Sequence, residues 1–179
     1  MRAVGGTIPV TIIRPPIVYG PRDTDFYLII QSAARGWVVQ LGTARERAYS
    51  LVHVADLVRG LVLAGDSPHA ADQTYYLAGE PPCAWQDLQE LLGLILNRRV
   101  RTLCVPQLLG WCAGAAAELL STLRQRPLIL SRDKVREACQ GRWICAAAKA
   151  ARQLGYRATV PLAEGLRETV QWYRRQGWL

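Results

Sequence analysis

The side chains best suited to metal or thiol chemistry are two histidines and five cysteines. They are His53, His69, Cys83, Cys104, Cys112, Cys139 and Cys145. The number of cysteines is odd, no C-x-x-C motif occurs, and the spacing gives no plausible zinc site. The sequence therefore predicts no metal site. It predicts buried free thiols in a reducing cytoplasm.

A phosphate-binding loop is the second kind of chemistry that the sequence can be tested for. The chain has 15 glycines, but they form neither G-x-G-x-x-G nor G-x-x-G-x-x-G. Such loops bring backbone N–H groups and a helix N-terminus to a pyrophosphate. The sequence therefore contains no fingerprint for the phosphates of a dinucleotide.

The clearest structural pattern lies between Pro9 and Asp23, PVTIIRPPIVYGPRD. The β-branched run Val10–Ile13 has the composition of a buried strand. The following Arg14-Pro15-Pro16 should end this strand, because proline has a fixed φ and no N–H for the ladder. The run Ile17–Pro21 is then expected to turn the chain away.

Helical and strand patterns fill most of the remaining chain and predict an α/β fold in one domain of 179 residues. Helices are predicted over Asp23–Arg35 with Asp23 or Thr24 as cap, from Val54 to about Ala64, and over Trp85–Asn97, Pro106–Leu123, Ser131–Ala138, Ala146–Leu154 and Pro161–Arg175. Strands or extended pieces are predicted over Trp37–Leu41, Tyr49–Val54, Thr74–Leu77, Val100–Val105 and Trp143–Cys145.

Three segments resemble the NAD-dependent epimerase/dehydratase family of extended short-chain dehydrogenases. PPIVYGP resembles the loop beside the nicotinamide end of the cofactor. Tyr49–Ala64, YSLVHVADLVRGLVLA, is similar to the family's "hV-x-D-hA" strand-to-helix element. Trp143–Leu179 resembles its C-terminal tail, although Ala146 and Ala148 replace polar residues and weaken the cap of the tail's first helix.

The resemblance covers essentially the whole chain and implies that residues 1–179 form a single C-terminal portion of the family domain. In the family, this portion follows a glycine-rich loop and a catalytic Tyr-x-x-x-Lys. Here Leu130 and Cys145 stand four residues before the two lysines, Lys134 and Lys149. The implied fold is therefore a partial Rossmann-type fold, the last sheet strands plus the helical substrate-binding lobe, with no catalytic residue of its own.

The resemblance also implies positions for ligand-binding residues. Those expected beside NAD or NADP are Arg14, Pro15, Pro16 and Val18. Those expected on the substrate side are Tyr19, Pro21, Arg47 and His53. In nucleotide-sugar relatives, an arginine near Arg47 grips a diphosphate, which a planar guanidinium suits.

Each of these assignments has a structural alternative. Arg45 and Arg47 could form a solvated turn. His53 lies in an apolar strand, where a core histidine is the favoured interpretation. Asp56 is interpreted as a helix cap rather than as an acid.

The net charge of +8 does not by itself indicate nucleic-acid binding. The basic residues are spread from Arg2 to Arg175 among acidic ones, whereas nucleic-acid binding favours a clustered patch. The apolar segment Leu103–Leu123 is interrupted by Pro106 and Glu118, and a membrane-spanning helix needs about 20 apolar residues. This segment is therefore predicted to be a buried or substrate-covering helix. A membrane-associating helix, as in some steroid-type relatives, is the less favoured alternative.

The function implied by the resemblance is hydride transfer between NAD(P) and a carbinol carbon of a sugar nucleotide, a sterol-like molecule or another secondary alcohol. The apolar segment and the sequence around His53 favour a hydrophobic substrate. The chain alone is expected to be inactive, and the alternatives are a non-catalytic remnant and a small ligand- or protein-binding module. The unpaired edge of the Val10–Ile13 strand predicts self-association.

Overall fold

The computed structural model describes residues 8–42, 47–112 and 141–179, together with the single residues 115 and 136. Strands within these ranges are β1 (Ile12–Arg14), β2 (Ile17–Tyr19), β3 (Trp37–Leu41), β4 (Ala48–Tyr49), β5 (Leu51–His53), β6 (Thr74–Tyr76), β7 (Cys83–Ala84), β8 (Arg101–Val105) and β9 (Arg142–Trp143). Helices are α1 (Asp25–Ala34), α2 (Val54–Asp66), α3 (Trp85–Leu96), α4 (Ala148–Leu154) and α5 (Leu162–Arg175), with a 3-10 turn at Pro68–Ala70.

The helix predicted over Pro106–Leu123 is helical at 107–112. The rest of that prediction lies outside the described ranges, apart from residue 115, and so does most of the helix predicted over Ser131–Ala138. Within the described ranges, no helix is both long and apolar enough to cross a bilayer.

Parallel strand pairs form most of the sheet structure and confirm the predicted α/β class. β1 pairs with β6, β2 with β5, and β3 with β8, all in parallel. A small mixed sheet has the order β7–β4–β9. Helices pack between and beside these pairs, as parallel strands require for their crossover connections.

The proline pair interrupts one extended segment. β1 ends at Arg14, and β2 begins at Ile17 and pairs with β5. The expectation that the chain turns away at Ile17–Tyr19 is wrong, because these residues form a strand directly after the two prolines. The turn comes at Gly20, where φ is +148° and an added Cβ would lie 2.6 Å from Val54 Cγ1.

The single strand predicted over Tyr49–Val54 is two strands in two different sheets, β4 and β5. The buried Ser50 separates them, and its hydroxyl donates to the Cys145 carbonyl at 3.2 Å and accepts from the Cys145 N–H at 3.1 Å. These two hydrogen bonds join the residue between β4 and β5 to the segment that precedes α4. Both strands have the same β-favouring composition, so the pattern could not show the change of sheet.

Two apolar clusters form the core. The first joins α1, α3 and α5 around β2 and β3, and includes Tyr19, Phe26, Ile30, Val38, Leu92, Leu166 and Tyr173. The second joins α2, α4 and β6, and includes Ala64, Tyr75, Leu77, Ala150 and Tyr156. β2 therefore contributes to the first cluster through Tyr19. β6 contributes to the second cluster, and Ile13 of β1 packs against it.

Helix starts follow the predicted capping residues only in part. The Asp23 carboxylate accepts from the N–H groups of Asp25 at 3.3 Å and Phe26 at 2.7 Å, as predicted for α1. Helix α4 begins after Ala147 without a capping side chain of its own. Instead, Glu80 Oε1 accepts from the Ala147 N–H at 3.2 Å, so a carboxylate 67 residues away stabilises this helix start.

Candidate cofactor and substrate site

The carboxyl end of the β1–β6 pair is open to solvent. Arg14 and Tyr76 stand opposite each other in the parallel register, both are exposed, and Arg14 Nη1 donates to Tyr76 Oη at 3.4 Å. Pro15 is exposed and Pro16 is half-buried. Open parallel sheets bind ligands at the carboxyl ends of their strands. This end of the pair therefore has the location expected for a ligand.

Tyr76 is a candidate site residue that the sequence did not single out. Only the register between β1 and β6 brings it to Arg14, 62 residues earlier in the chain. The predicted strand Thr74–Leu77 included Tyr76, but it did not show which strand would be its partner.

The carboxyl end of the β2–β5 pair is closed. Tyr19 and His53 stand opposite each other and are only 2% and 4% exposed. Their rings meet edge to face, with centroids 5.2 Å apart. A Cβ on Gly165 of α5 would lie 2.7 Å from Tyr19 Oη and 3.0 Å from His53 Cδ2. Helix α5 therefore covers this pair at a distance that only glycine permits.

His53 is the N-terminal cap of α2. Its Nδ1 accepts from the Ala55 N–H at 3.4 Å, which assigns the proton of the neutral ring to Nε2. Nε2 lies 3.8 Å from Glu168 Oε2 and has no hydrogen-bond partner among the described residues. The burial of His53 agrees with its interpretation as a core histidine.

Tyr19 is held in its neutral form. Burial raises the pKa of its phenol well above the usual value, and the nearby charge of Asp56 raises it further. At neutral pH, Tyr19 therefore presents a hydroxyl group and not a phenolate.

Asp56 organises the loop before α5. The buried carboxylate accepts from the Thr159 N–H at 3.1 Å, the Thr159 hydroxyl at 3.2 Å and the Val160 N–H at 3.1 Å, and it pairs with Arg59. The expectation that Asp56 caps α2 is wrong, since His53 occupies that position. Asp56 instead fixes where α5 begins, and so it positions Gly165 over Tyr19 and His53.

Arg47 lies away from both strand ends, in the chain leading into β4. Its Nη2 donates to the Leu41 carbonyl, and Nη1 donates to Tyr49 Oη at 3.4 Å. The solvated-turn alternative is wrong for Arg47, because the residue is buried. Arg45 lies outside the described ranges. Pro21 is half-buried in the turn after β2, and Val18 is half-buried within β2.

The structure thus separates the predicted site residues into two groups. It brings Arg14 to Tyr76 at the open end, and Tyr19 to His53 at the closed end. The binding roles predicted for Arg14, Pro15, Pro16, Val18, Tyr19, Pro21, Arg47 and His53 stay predictions.

A groove of about 410 Å³ runs beside the free edge of β1. It is lined by Ile13 of β1, by Pro9 and Thr11 just before it, and by Leu61, Ala64 and Gly65 of α2. Within the described ranges, β6 is the only strand that pairs with β1. The edge of β1 and the groove together form an open side of the molecule.

No protein-family profile matches the chain. Curated relatives include ceramide reductase from Caulobacter vibrioides, 28% identical over 94% of this chain and 52% of that protein. UDP-glucose 4-epimerase from Vibrio cholerae is 29% identical over 62% of this chain and 33% of that protein. N-acetyl-alpha-D-glucosaminyl-diphospho-ditrans,octacis-undecaprenol 4-epimerase from Escherichia coli O157:H7 is 23% identical over 90% of this chain and 48% of that protein.

Solved structures show the same fold. dTDP-glucose 4,6-dehydratase from Streptomyces venezuelae, a structure that contains NAD, superposes with a TM-score of 0.68 and 24% identity over 99% of this chain and 47% of its own. UDP-glucose 4-epimerase from Thermotoga maritima superposes with a TM-score of 0.65 and 22% identity, over 93% of this chain and 46% of its own. The chain spans about half the length of these proteins. It therefore has the Rossmann-type fold of NAD-dependent epimerase/dehydratase enzymes over about half of their length, and the resemblance predicted from its sequence is confirmed.

Proposed function

We propose that this chain is the C-terminal, substrate-side half of an NAD(P)-dependent epimerase or reductase. The observation that carries the proposal is the proline break between two parallel strand pairs, one open and one closed at its carboxyl end. Arg14, Pro15, Pro16 and Val18 border the nicotinamide end of the cofactor. Tyr19, Pro21, Arg47 and His53 shape the substrate side.

The residues at the open end suit the nicotinamide end of a dinucleotide. Arg14 supplies an exposed guanidinium and Tyr76 a hydroxyl, and the two prolines supply a backbone wall without N–H groups. A bound nicotinamide would supply reversible hydride transfer with a carbinol carbon or the corresponding ketone. The role of this chain is to position the ring and the substrate, because its sequence contains no Tyr-x-x-x-Lys pair.

A hydrophobic or lipid-linked substrate is the favoured class. One relative is named for reduction of ceramide, and another is an epimerase of a sugar linked to undecaprenol through a diphosphate. A sugar nucleotide is the second candidate, because a further relative is a UDP-glucose 4-epimerase. In both cases the reacting group is a secondary alcohol or the corresponding ketone.

Turnover by a chimera tests this proposal. The chain would be joined after the first half of ceramide reductase, and production or consumption of NAD(P)H would be measured with a ceramide-type lipid in detergent and with UDP-glucose. We expect the chimera to turn over the lipid and this chain alone to show no turnover, because its sequence contains no Tyr-x-x-x-Lys pair to supply the proton. Turnover by the chain alone would contradict the proposal, as would a folded, NADH-binding chimera that is inactive with both substrates.

The open side of the molecule supports the predicted self-association. β1 has a free edge within the described ranges, and Leu61 of α2 lines the groove together with Thr11 and Ile13. Val58, Leu61 and Val62 form an apolar stripe on α2, and each is roughly half exposed. We propose that the chain alone associates with a second copy through this side. Sedimentation velocity would show a dimer or larger species that Val62→Glu reduces. A monomer at all concentrations would contradict this expectation.

A further inference from the structure

A second apolar surface lies on the face of the β3–β8 pair that is turned away from the core. Trp37, Val39 and Leu103 are 48%, 56% and 49% exposed. Val38 points to the other face, where it belongs to the core. The register sets Trp37 beside Arg101 and Val39 beside Leu103, so these four residues form one continuous surface, here called the β3–β8 face.

Arginines cluster where the two strands of this face begin. Arg35 directly precedes Gly36 and β3, while Arg98, Arg99 and Arg101 lead into β8, and all four are exposed. The two strand starts are joined, because the Arg101 N–H donates to the Gly36 carbonyl at 2.9 Å. The Arg101 guanidinium also lies over the Trp37 ring, 5.9 Å from its centroid.

These positive charges are not neutralised within the described part of the chain. No carboxylate there lies within 4 Å of any of the four guanidinium groups. The apolar stripe on α2 differs in this respect, since its neighbouring Arg59 pairs with the buried Asp56. The β3–β8 face therefore combines apolar side chains with an uncompensated positive end.

We propose that the β3–β8 face docks on a membrane surface that contains anionic lipids. Tryptophan favours the interface between water and hydrocarbon, and arginine binds lipid phosphates through its planar fork. An apolar surface bordered by basic residues gains from both effects. The helical residues after β8 expose Leu108 and Leu109 as well, which extends the apolar surface along the chain. The inference rests on the proposed function in one respect: a lipid-type substrate would be met at a membrane.

Vesicle binding by the full chain tests the inference. Co-sedimentation would be measured with vesicles of phosphatidylcholine alone and of phosphatidylcholine with phosphatidylglycerol. We expect at least about tenfold stronger binding to the vesicles that contain phosphatidylglycerol, and weaker binding at high salt. A double variant, Arg98→Glu with Arg99→Glu, should abolish this preference.

The apolar contribution has its own matched pair of variants. Val39→Glu combined with Leu103→Glu should reduce vesicle binding at least about tenfold, since both side chains would be desolvated at the membrane. Leu28→Glu places the same charge at an exposed apolar position of α1, on the Val38 side of β3, and should leave vesicle binding unchanged. All variants alter exposed residues, and circular dichroism would confirm that they fold.

Three results would overturn the inference. They are failure of the chain to bind vesicles with phosphatidylglycerol, binding that survives the Val39→Glu and Leu103→Glu changes, and equal weakening by Leu28→Glu. A shift of the oligomeric state by Val39→Glu and Leu103→Glu, without a change in vesicle binding, would instead assign the face to a second copy. The assay needs neither cofactor nor turnover, so its failure would leave the chimera result for the proposed function unaffected.

Discussion

Two neighbouring parallel strand pairs end in opposite environments. The β1–β6 pair ends in Arg14 and Tyr76, both exposed, whereas the β2–β5 pair ends in Tyr19 and His53, both buried beneath Gly165. Only Pro15 and Pro16 separate the end of β1 from the start of β2 along the chain. The comparison indicates that one sequence motif serves two purposes: its first residues remain free for a ligand, and its last residues build the core.

The closed end depends on a few residues that hold α5 in place, so substitutions there should mainly change the free energy of unfolding. The residues of the open end make few contacts within the protein, so substitutions there should mainly change cofactor binding. Substitutions at the two ends should therefore differ in their effects on stability and on binding.

The largest effect is expected for Asp56→Ala. The change removes the acceptor of the Thr159 and Val160 bonds and of the Arg59 pair, all of which fix the loop before α5. Loss of a buried, hydrogen-bonded carboxylate should lower the free energy of unfolding by about 3 kcal/mol. Urea denaturation would measure this change, with Asp66→Ala at the exposed end of α2 as control. Equal effects of the two changes would contradict the assigned role of Asp56.

Two glycine substitutions should act in opposite directions. Gly165→Ala places a methyl group against Tyr19 and His53 and should destabilise the fold by about 2 kcal/mol. Gly65→Ala adds a methyl group on α2 where no atom lies within 4 Å, and it should stabilise the fold by about 0.5 kcal/mol. Thermal unfolding of the two variants would compare them. A stable Gly165→Ala variant would show that α5 does not lie closely on the pair.

Alkaline pH should weaken the second core cluster through the buried Tyr156. Burial raises the pKa of Tyr156 to about 12, and the charge of Asp56 contributes. The unfolded chain loses this proton from about pH 10, so stability is constant below that pH and falls above it. Tyr156 alone should account for about 1 kcal/mol at about pH 11.

Tyr156→Phe provides the control for this pH dependence. The Tyr156 hydroxyl is buried without a hydrogen-bond partner among the described residues, so its removal should not weaken the fold near pH 7. Urea denaturation at about pH 8 and about pH 11 should show a smaller alkaline loss for the variant. The same loss in both proteins would mean that Tyr156 does not contribute.

The smallest effect on stability is expected at the open end. Arg14→Ala removes an exposed side chain whose hydrogen bond to Tyr76 is 3.4 Å long. The free energy of unfolding should change by less than about 0.5 kcal/mol. Urea denaturation would check this, and a loss as large as that of Asp56→Ala would remove the difference between the two ends.

The sequence predicted the α/β class, most helices and the Asp23 cap, because each depends on residues close in the chain. It did not predict β2 as a strand, the sheet change at Ser50, or the meeting of Arg14 with Tyr76. Those features depend on register between distant segments. Asp56 shows the same limit: its position at the start of a helix suggested a cap, and its actual partners lie about 100 residues later.

We propose that the open end of β1–β6 borders the nicotinamide, and this claim can be tested by NADH binding to the ceramide reductase chimera. We predict that the chimera binds NADH, and that Pro16→Ala and Arg14→Ala weaken this binding several-fold while the free energy of unfolding stays unchanged. A folded chimera whose NADH affinity is the same with and without these substitutions would contradict the claim.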